Sequence, residues 1–463
     1  MVVGVSVVAT GRRIDLAALV HGLRVFSRRV AVQRDLKTNN MNHGRNKLQI
    51  REKLGQRSRD FLEVASGWSK LLEIEDRIFA ERRLWFYGSN LVVTYGIAMV
   101  LAWGLNQGEW VIRPDGSLPN IDFCWIWVSG KFAASSDPAR VYDYAVFSAA
   151  QASLVGPPTG NALPYHFLYP PILLFFVYPL GLISYLTAYS VWIFVTLLLY
   201  LAAAYTIIPR SAVYIGALAP AVVVKNIQLG HNGFLTAAII GLSLGLMERR
   251  PWLAGLILGC LTYKPQFGIL FPLALLASRN WRTLCSATVT SVLLGVAAAV
   301  AFGYQGWLSF IGSLLARNSS LSPDGEMELS LQSLYGLLHW AGASDWISWS
   351  VHLTSAAIVA AMVCAIWAKP ISYYLKAAVL CIASVAVSPY VLAYDLCILS
   401  IAGAFLIRDG MSRGFLPGER MGMLICFAGL FPVATPIAPI VCVGLLVLCA
   451  RRIVTYRCGL LTT

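Results

Sequence analysis

The sequence predicts an all-α polytopic membrane protein, a bundle of about 10–13 transmembrane helices with further helices in loops on the outer side. The composition and a series of long apolar stretches predict this class. Hydrophobic residues make up 58% of the 463 residues and charged residues only 13%, with a mean hydropathy of +0.67. Soluble domains contain about 45–50% apolar and about 25% charged residues. The composition therefore excludes a soluble enzyme, a disordered scaffold and a nucleic-acid-binding protein, despite a net charge of +14.

Apolar stretches of the length that crosses a bilayer, about 20 residues for a helix, recur along the chain. Two further stretches, 167–184 and 252–277, are apolar but interrupted by prolines. The predicted continuous spans are 88–105, 186–208, 211–225, 232–247, 283–303, 346–368, 372–388, 391–407, 421–434 and 436–450.

The distribution of charge predicts the orientation of these spans. Residues 1–86 hold 17 Lys and Arg against 9 Asp and Glu, which indicates a basic cytoplasmic segment facing anionic lipid. The loops 106–166 and 304–345 are acidic on balance, so we predict that both are outside and both termini cytoplasmic. We thus divide the chain into residues 1–86, with an interfacial helix near 61–85, a transmembrane domain 87–450 and a tail 451–463. Met41 is an alternative start.

The two interrupted stretches are predicted to be broken helices. If 167–184 crossed the membrane, Arg210 would lie outside, so we predict a re-entrant segment that enters and leaves on the outer side. The stretch 252–277 is too long for one span and is predicted to form two short helices meeting at 263–266, with that tip outside. No internal repeat is evident, which argues against a transporter built from inverted repeats.

Polar and aromatic residues gather on the predicted outer side. Lys264 and Asp395 are the most informative, because an ionisable residue in an apolar stretch is costly and usually functional, although Asp395 could merely bond a neighbouring helix. Asp122 in the first loop belongs to this set but could simply cap a short helix, and His231 with Asn232 could simply cap the helix that follows them. Taken together, these residues favour a functional site, since separate structural needs would not place acids, cations and aromatic rings on one face of the membrane.

Several short motifs follow one another along the chain. They are Asp122, Asp137-Pro138, Tyr142-Asp143, Tyr169-Pro170-Pro171, Gln228 to Asn232, Arg249-Arg250-Pro251, Gly255-x-x-x-Gly259, Lys264-Pro265, Arg279 to Arg282 and Ser388-Pro389-Tyr390. Over about residues 88–410, their order resembles that of glycosyltransferase family 87. The chain departs from the family where the usual Gly-Gln-Asn is replaced by Gly230-His231-Asn232. Either His231 replaces that glutamine, or Gln228 does its work from two positions before Gly230.

The resemblance implies a GT-C fold and an inverting transfer of a sugar, a hexose such as mannose or an arabinofuranose, from a polyprenyl phosphate. It implies that Asp122 is the base that takes the acceptor's proton. The leaving phosphate would be held by Lys264 and His231, with His166 behind them. Trp125, Tyr165 and Tyr169 offer flat faces to a sugar, although interfacial aromatics are also ordinary membrane anchors. The remaining predicted substrate-binding residues are Gln228, Asn232, Gln266, Tyr390 and Asp395.

The implied partners are the lipid-linked sugar donor, an envelope glycan or glycolipid acceptor and membrane lipid, with no nucleic acid. The implied location is the bacterial inner membrane, with the site on its outer face. We predict no cofactor and no metal ion, because lysine and histidine can supply the charge that a leaving phosphodiester needs. Two other classes fit the hydropathy: a secondary transporter or flippase for lipid-linked sugars, and a membrane subunit without catalysis.

Overall fold

The computed structural model describes residues 7–9, 12–14, 67, 70–105, 122–155, 166–319, 331–430 and 435–457. The chain divides into two compact units, Met1–Ile74 with Val454–Thr463, and Glu75–Ile453. In the first unit, strands β1 (Val7–Ala9) and β2 (Arg12–Ile14) pair antiparallel, with Val8 opposite Arg13. Every other regular element that the structure describes is helical.

Five helices are long and apolar enough to cross a membrane, which confirms the predicted all-α polytopic fold class. Among the described residues a sixth span is possible if one bent helix pair counts as a single crossing. Fewer helices therefore meet the length requirement than the predicted 10–13. The five are α1 (Glu81–Leu105), α5 (Tyr185–Ile207), α11 (Trp281–Phe302), α14 (Asp345–Trp367) and α18 (Ala438–Arg457).

The predicted span 211–225 is instead a bent pair, α6 (Ala212–Leu218) and α7 (Ala221–Leu229), whose axes meet at 65°. Pro220 lies at the bend, where its missing N–H and fixed φ interrupt a helix. Other predicted spans form shorter helices, because glycine, proline or polar residues end them early. They are α8 (Gly233–Leu246), α15 (Tyr373–Val387), α16 (Cys397–Arg413) and α17 (Glu419–Ala428).

Helices α8, α15 and the first half of α16 form the centre of the second unit. They are apolar on every side, and most of their residues are buried, as expected for helices surrounded by protein. The two interrupted stretches adjoin this centre. In 167–184 the structure has one helix, α4 (Leu173–Gly181), whose nine residues measure about 13 Å, well short of the hydrocarbon core at about 30 Å.

The stretch 252–277 is broken as predicted. Helix α9 (Pro251–Gly259) runs into a 3₁₀ turn, Cys260–Tyr263, and a second 3₁₀ turn, Pro265–Phe267, leads to α10 (Leu270–Ala277). Lys264 lies between the two turns, with φ −138° and ψ 68°, outside the helical region. The chain therefore presents Lys264 at a break between helices, deep in the protein.

The two predicted loops contain helices of their own. In the first, the 3₁₀ turn Pro138–Tyr142 begins at Asp137-Pro138, and Asp143 Oδ1 accepts the Val146 N–H at 3.1 Å at the start of the next helix. Residues 106–121, 156–165 and 320–330 lie outside the described chain. The loop helices are α2 (Phe123–Ala133), α3 (Tyr144–Val155), α12 (Tyr304–Ser319) and α13 (Leu334–Trp340). Residues 70–78, within the predicted interfacial helix, are also helical.

Candidate functional site

A buried ion pair joins two distant parts of the chain. Lys264 Nζ donates a hydrogen bond to Asp395 Oδ1 at 2.6 Å, and both side chains are at most 3% exposed. Asp395 lies in the 3₁₀ turn Ala393–Leu396, where its Oδ2 also accepts the Leu392 N–H at 3.2 Å. The turn thus fixes the carboxylate so that its other oxygen faces the ammonium group.

Asn232 links this pair to the turn between α7 and α8. Its Oδ1 accepts a second hydrogen bond from Lys264 Nζ at 3.0 Å. Asn232 occupies the N-cap position of α8, yet its side chain makes no capping bond to the described helix. The asparagine amide is therefore turned toward the lysine, and the capping interpretation does not describe this residue.

His231 lies beside Asn232 and is buried. Its Nδ1 is 2.8 Å from the Asn232 backbone nitrogen and 2.9 Å from Asn232 Oδ1. Burial, together with the nearby positive charge of Lys264, lowers the pKa of His231 well below its usual value. The imidazole is consequently neutral near pH 7 and can offer a hydrogen bond, but not a full positive charge.

Aromatic rings surround the ion pair. Lys264 Nζ lies 5.0 Å from the ring centre of Tyr394, 5.4 Å from that of Phe267 and 5.9 Å from that of Tyr169. Tyr394 stacks on His231, with ring centres 3.4 Å apart. Such ring faces favour a cation electrostatically and exclude water from it.

Trp125 closes this aromatic wall from helix α2. Its ring stacks on Tyr169 at 5.0 Å and lies 5.2 Å from His231. Because Trp125 is only 4% exposed, it is a packed part of the site rather than a membrane anchor. Tyr169 is held in turn by Tyr142, whose hydroxyl donates to the Tyr169 carbonyl at 2.7 Å.

Glycines allow helix α2 to come this close. Gly230 ends α7 with φ +68°, and a Cβ there would lie 2.6 Å from Phe123 Cβ. Gly233 packs so closely on the 3₁₀ turn that a Cβ would lie 2.2 Å from the Tyr394 carbonyl oxygen. The Gly-His-Asn-Gly turn therefore brings α2, the histidine and the ion pair together.

Asp122 precedes α2 at its N-cap position and is half-buried, and its side chain makes no capping bond to the described helix. Helix α2 brings Asp122 toward the aromatic wall. Phe123, the next residue, packs against the turn at Gly230, and Trp125 belongs to the wall itself. That Asp122, His231 and Lys264 act together as one site stays a prediction.

The remaining predicted site residues differ in their exposure and in the rings they contact. His166 is exposed and stacks on Tyr144, with ring centres 4.0 Å apart. Tyr390 is 37% exposed and lies against Trp349. Gln228 and Gln266 are half-buried, and Tyr165 lies outside the described residues.

Three rings of the site were missing from the predicted set: Tyr263, Phe267 and Tyr394. Tyr263 is stacked with Tyr169 at 6.4 Å, and its hydroxyl is 2.5 Å from that of Thr236. Tyr263 and Tyr394 each directly precede one member of the ion pair in the sequence, which is a signal that could have identified them. In the part of the chain that the structure describes, no group of three His, Cys, Asp or Glu side chains could hold a metal ion.

The central part of the chain matches the model of a known protein family. Residues 167–389 match the model of glycosyltransferase family 87. The predicted resemblance is confirmed. The family match indicates a glycosyltransferase, and the apolar helices indicate a multi-pass membrane protein. No curated protein and no solved structure matches the chain.

The family 87 match contains some of the site and not the rest. Tyr169, His231, Asn232 and Lys264 lie inside it, whereas Asp122 lies before it and Asp395 after it. The site is therefore completed by a loop helix and a 3₁₀ turn on either side of the matched region.

Proposed function

We propose that the protein transfers a sugar, a hexose such as mannose or an arabinofuranose, from a polyprenyl phosphate to an envelope glycan or glycolipid. The transfer inverts the anomeric centre and takes place on the outer face of the bacterial inner membrane. One observation carries this proposal: Asp122 directly precedes helix α2, whose Trp125 belongs to the aromatic wall around the buried Lys264–Asp395 pair. The match of residues 167–389 to family 87 supports it.

Asp122 serves as the general base. An acceptor hydroxyl is a weak nucleophile until its proton leaves, and a carboxylate within hydrogen-bond reach can take that proton as the hydroxyl oxygen attacks the anomeric carbon. The bond from that carbon to the phosphate oxygen breaks, and its electron pair stays on the phosphate. The half-buried position of Asp122 supports this role, since it leaves the carboxylate accessible to a substrate.

Lys264 stabilises the leaving phosphate. An ammonium group has three N–H donors, and the bonds to Asn232 and Asp395 use two of them, which leaves one for a phosphate oxygen. The charge that develops on the phosphate is stabilised strongly in a site lined by aromatic rings, because little water screens it. His231 adds a neutral hydrogen bond, and Asp395 orients the lysine.

The orientation follows from the charge distribution. Basic residues flank the predicted cytoplasmic ends of the spans, and the acidic loops contain Asp122 and the helices around it. A polyprenyl-linked donor would enter sideways from the lipid, and its sugar would rest against Trp125 and Tyr169.

The test is to incubate membranes containing the protein with radiolabelled polyprenyl-phosphate mannose or polyprenyl-phosphate arabinofuranose, and to follow the label into glycans and glycolipids. We expect one lipid-linked sugar to be used, with the anomeric configuration of the product opposite to that of the donor. Nucleotide-linked forms of the same sugars serve as controls. Transfer from these alone, or retention of configuration, would contradict the proposal.

A further inference from the structure

A second group of rings lies outside the ion-pair site. We define the aromatic platform as Tyr335, Trp349 and Tyr390. Tyr335 and Trp349 have ring centres 4.7 Å apart, and Trp349 and Tyr390 are 6.5 Å apart in an edge-on arrangement. These rings come from three elements, α13, α14 and the segment after α15, so the fold assembles them from distant parts of the sequence.

A polar rim accompanies the platform. Asp345 Oδ1 accepts a hydrogen bond from the Tyr335 hydroxyl at 3.3 Å and lies 3.1 Å from His339 Nδ1. The Asp345 side chain is still 53% exposed, so its carboxylate is ordered by these contacts and remains open to a ligand. Tyr335 is only 3% exposed and packs against Trp349, so Trp349 and Tyr390 present the ring surface of the platform. With the ordered carboxylate and imidazole, these rings offer a sugar both a face to stack on and partners for its hydroxyls.

Two buried polar atoms lie on the same helix as Trp349. Asp345, Trp349 and His352 are spaced four and three residues apart and so share one face of α14. Within the described part of the chain, Ser348 Oγ and His352 Nδ1 have no hydrogen-bond partner, although both residues are at most 1% exposed. Unpaired buried polar atoms are costly, which favours a hydroxyl-rich ligand at this place.

The platform is continuous with the ion-pair site. His352 Nε2 is 3.2 Å from the Val387 carbonyl, and the Gln332 N–H donates to the Val391 carbonyl at 2.6 Å. The same segment carries Tyr390 on the platform and, five residues later, Asp395 in the ion pair. Five residues span at most about 18 Å, a distance that a short oligosaccharide can cover.

We propose that the aromatic platform binds a sugar ring of the acceptor glycan, at least one residue away from the hydroxyl that receives the new sugar. This inference rests on the proposed function, because it assigns the acceptor side of that same transfer. Trp346 lies on the same helix but is 78% exposed, in the position of an ordinary interfacial residue, so we do not include it in the platform.

The test compares acceptors of two lengths, using octyl glycosides of one and of two mannose residues and the corresponding arabinofuranosides. In the wild type, the second sugar should lower the acceptor KM. In Tyr390→Ala and Trp349→Ala we expect this advantage to disappear, with the KM of the longer acceptor raised about tenfold, or about 1.4 kcal/mol. The donor KM should not change.

Trp346→Ala is the matched control, because it removes an exposed ring from the same helix and should leave both KM values unchanged. Trp349→Phe keeps a ring and should retain part of the advantage, which guards against misfolding of the alanine variant. The platform proposal would be wrong if Tyr390→Ala kept the KM advantage of the longer acceptor, or if Trp346→Ala lost that advantage to the same extent.

A binding measurement separates the platform from the proposed function. Saturation-transfer NMR with the two-sugar octyl glycosides reports contact without any reaction. If the wild type transfers no sugar but binds these glycosides, and Tyr390→Ala does not, the transfer proposal fails and the platform stands. If the wild type shows no contact with them, the platform is wrong whatever the outcome of the transfer assay.

Discussion

Two buried ionic clusters among the described residues differ in how many carboxylates meet the cation. In the ion-pair site, Lys264 meets one carboxylate, Asp395, among aromatic rings. In the second cluster, which we call the arginine network, Arg452 meets Asp409 at 2.7 Å and Glu419 at 2.5 Å. All of these side chains are at most 3% exposed, so burial alone does not distinguish the clusters.

The partners of the two cations do distinguish them. Every nitrogen of the Arg452 guanidinium has a protein acceptor, since Nη2 also donates to the Gly414 carbonyl at 3.0 Å. Ser372 bonds Asp409 as well, so the network ties together α16, α17, α18 and the segment before α15. Among the described residues, Lys264 donates two side-chain hydrogen bonds and otherwise lies against ring faces. A cation between two carboxylates holds helices in place and repels a further anion, whereas a cation paired with one carboxylate can still bind an anion.

The largest expected effect compares Asp122, the proposed base near the ion-pair site, with Asp409 of the arginine network. Asp122→Asn should reduce transfer about 10²–10⁴-fold, because the base is lost. Its thermal unfolding in detergent should match the wild type. Asp409→Asn should do the opposite, lowering the unfolding temperature while the activity of each folded molecule is retained. Transfer at the wild-type rate in Asp122→Asn would show that Asp122 is not the base.

The second effect is on stability and compares the two cations. Arg452→Met removes a counter-ion from the buried Glu419 and leaves Asp409 beside the more distant Arg413, 3.9 Å away, so it should cost about 3–5 kcal/mol of folding free energy. Lys264→Met should cost less, because it leaves a single buried carboxyl, which can take up a proton.

Denaturant unfolding of both variants measures this difference in stability. Kinetics then give the functional half of the comparison. Lys264→Met should raise the donor KM, while the folded fraction of Arg452→Met should keep the wild-type value. The proposed difference between the clusters would be wrong if the two variants lost the same stability and both kept the wild-type donor KM.

A third effect tests how the fold positions Asp122. Helix α2 meets α4 through two glycines, and a Cβ on Gly181 would lie 2.1 Å from the Gly130 carbonyl. Gly181→Ala should push α2 away and move Asp122, and a displacement of about 1 Å can reduce the rate about 10²-fold. Gly216→Ala is the control, because nothing lies within 4 Å of the added methyl group. The measurement is kcat of each variant; equal values would show that this contact does not position the base.

The smallest expected effect is a pH dependence of folding stability caused by His231, which lies beside the ion pair. Because the pKa of His231 is lower in the folded protein than the ordinary value of 6.5, protonation favours the unfolded state. This histidine therefore destabilises the protein as pH falls below about 6.5, by at most about 1.4 kcal/mol per pH unit. His231→Asn should remove that acid-side loss. Unfolding temperatures measured between pH 5 and pH 8 check it, and parallel curves for the two proteins would contradict it.

Much of the candidate site follows from residue types in the sequence. Lys264 and Asp395 stand out because ionisable residues are rare in the apolar stretches around them, and the proline after Lys264 marks a break. The rings that complete the site do not stand out, because 20 tyrosines and 14 tryptophans occur along the chain and most serve packing or interfaces. The role of His166 stays a prediction, because the structure shows only that this histidine is exposed and stacks on Tyr144.

The sequence by itself determined the membrane class of the protein, the break in 252–277 and the resemblance to glycosyltransferase family 87, because each depends on composition or on local order along the chain. It could not pair Lys264 with Asp395, 131 residues later, nor distinguish that pair from Arg452 and its two carboxylates. Partners so far apart are chosen by helix packing and by close contacts at Gly230 and Gly233. Only the tertiary structure decided which buried cation meets one carboxylate and which meets two.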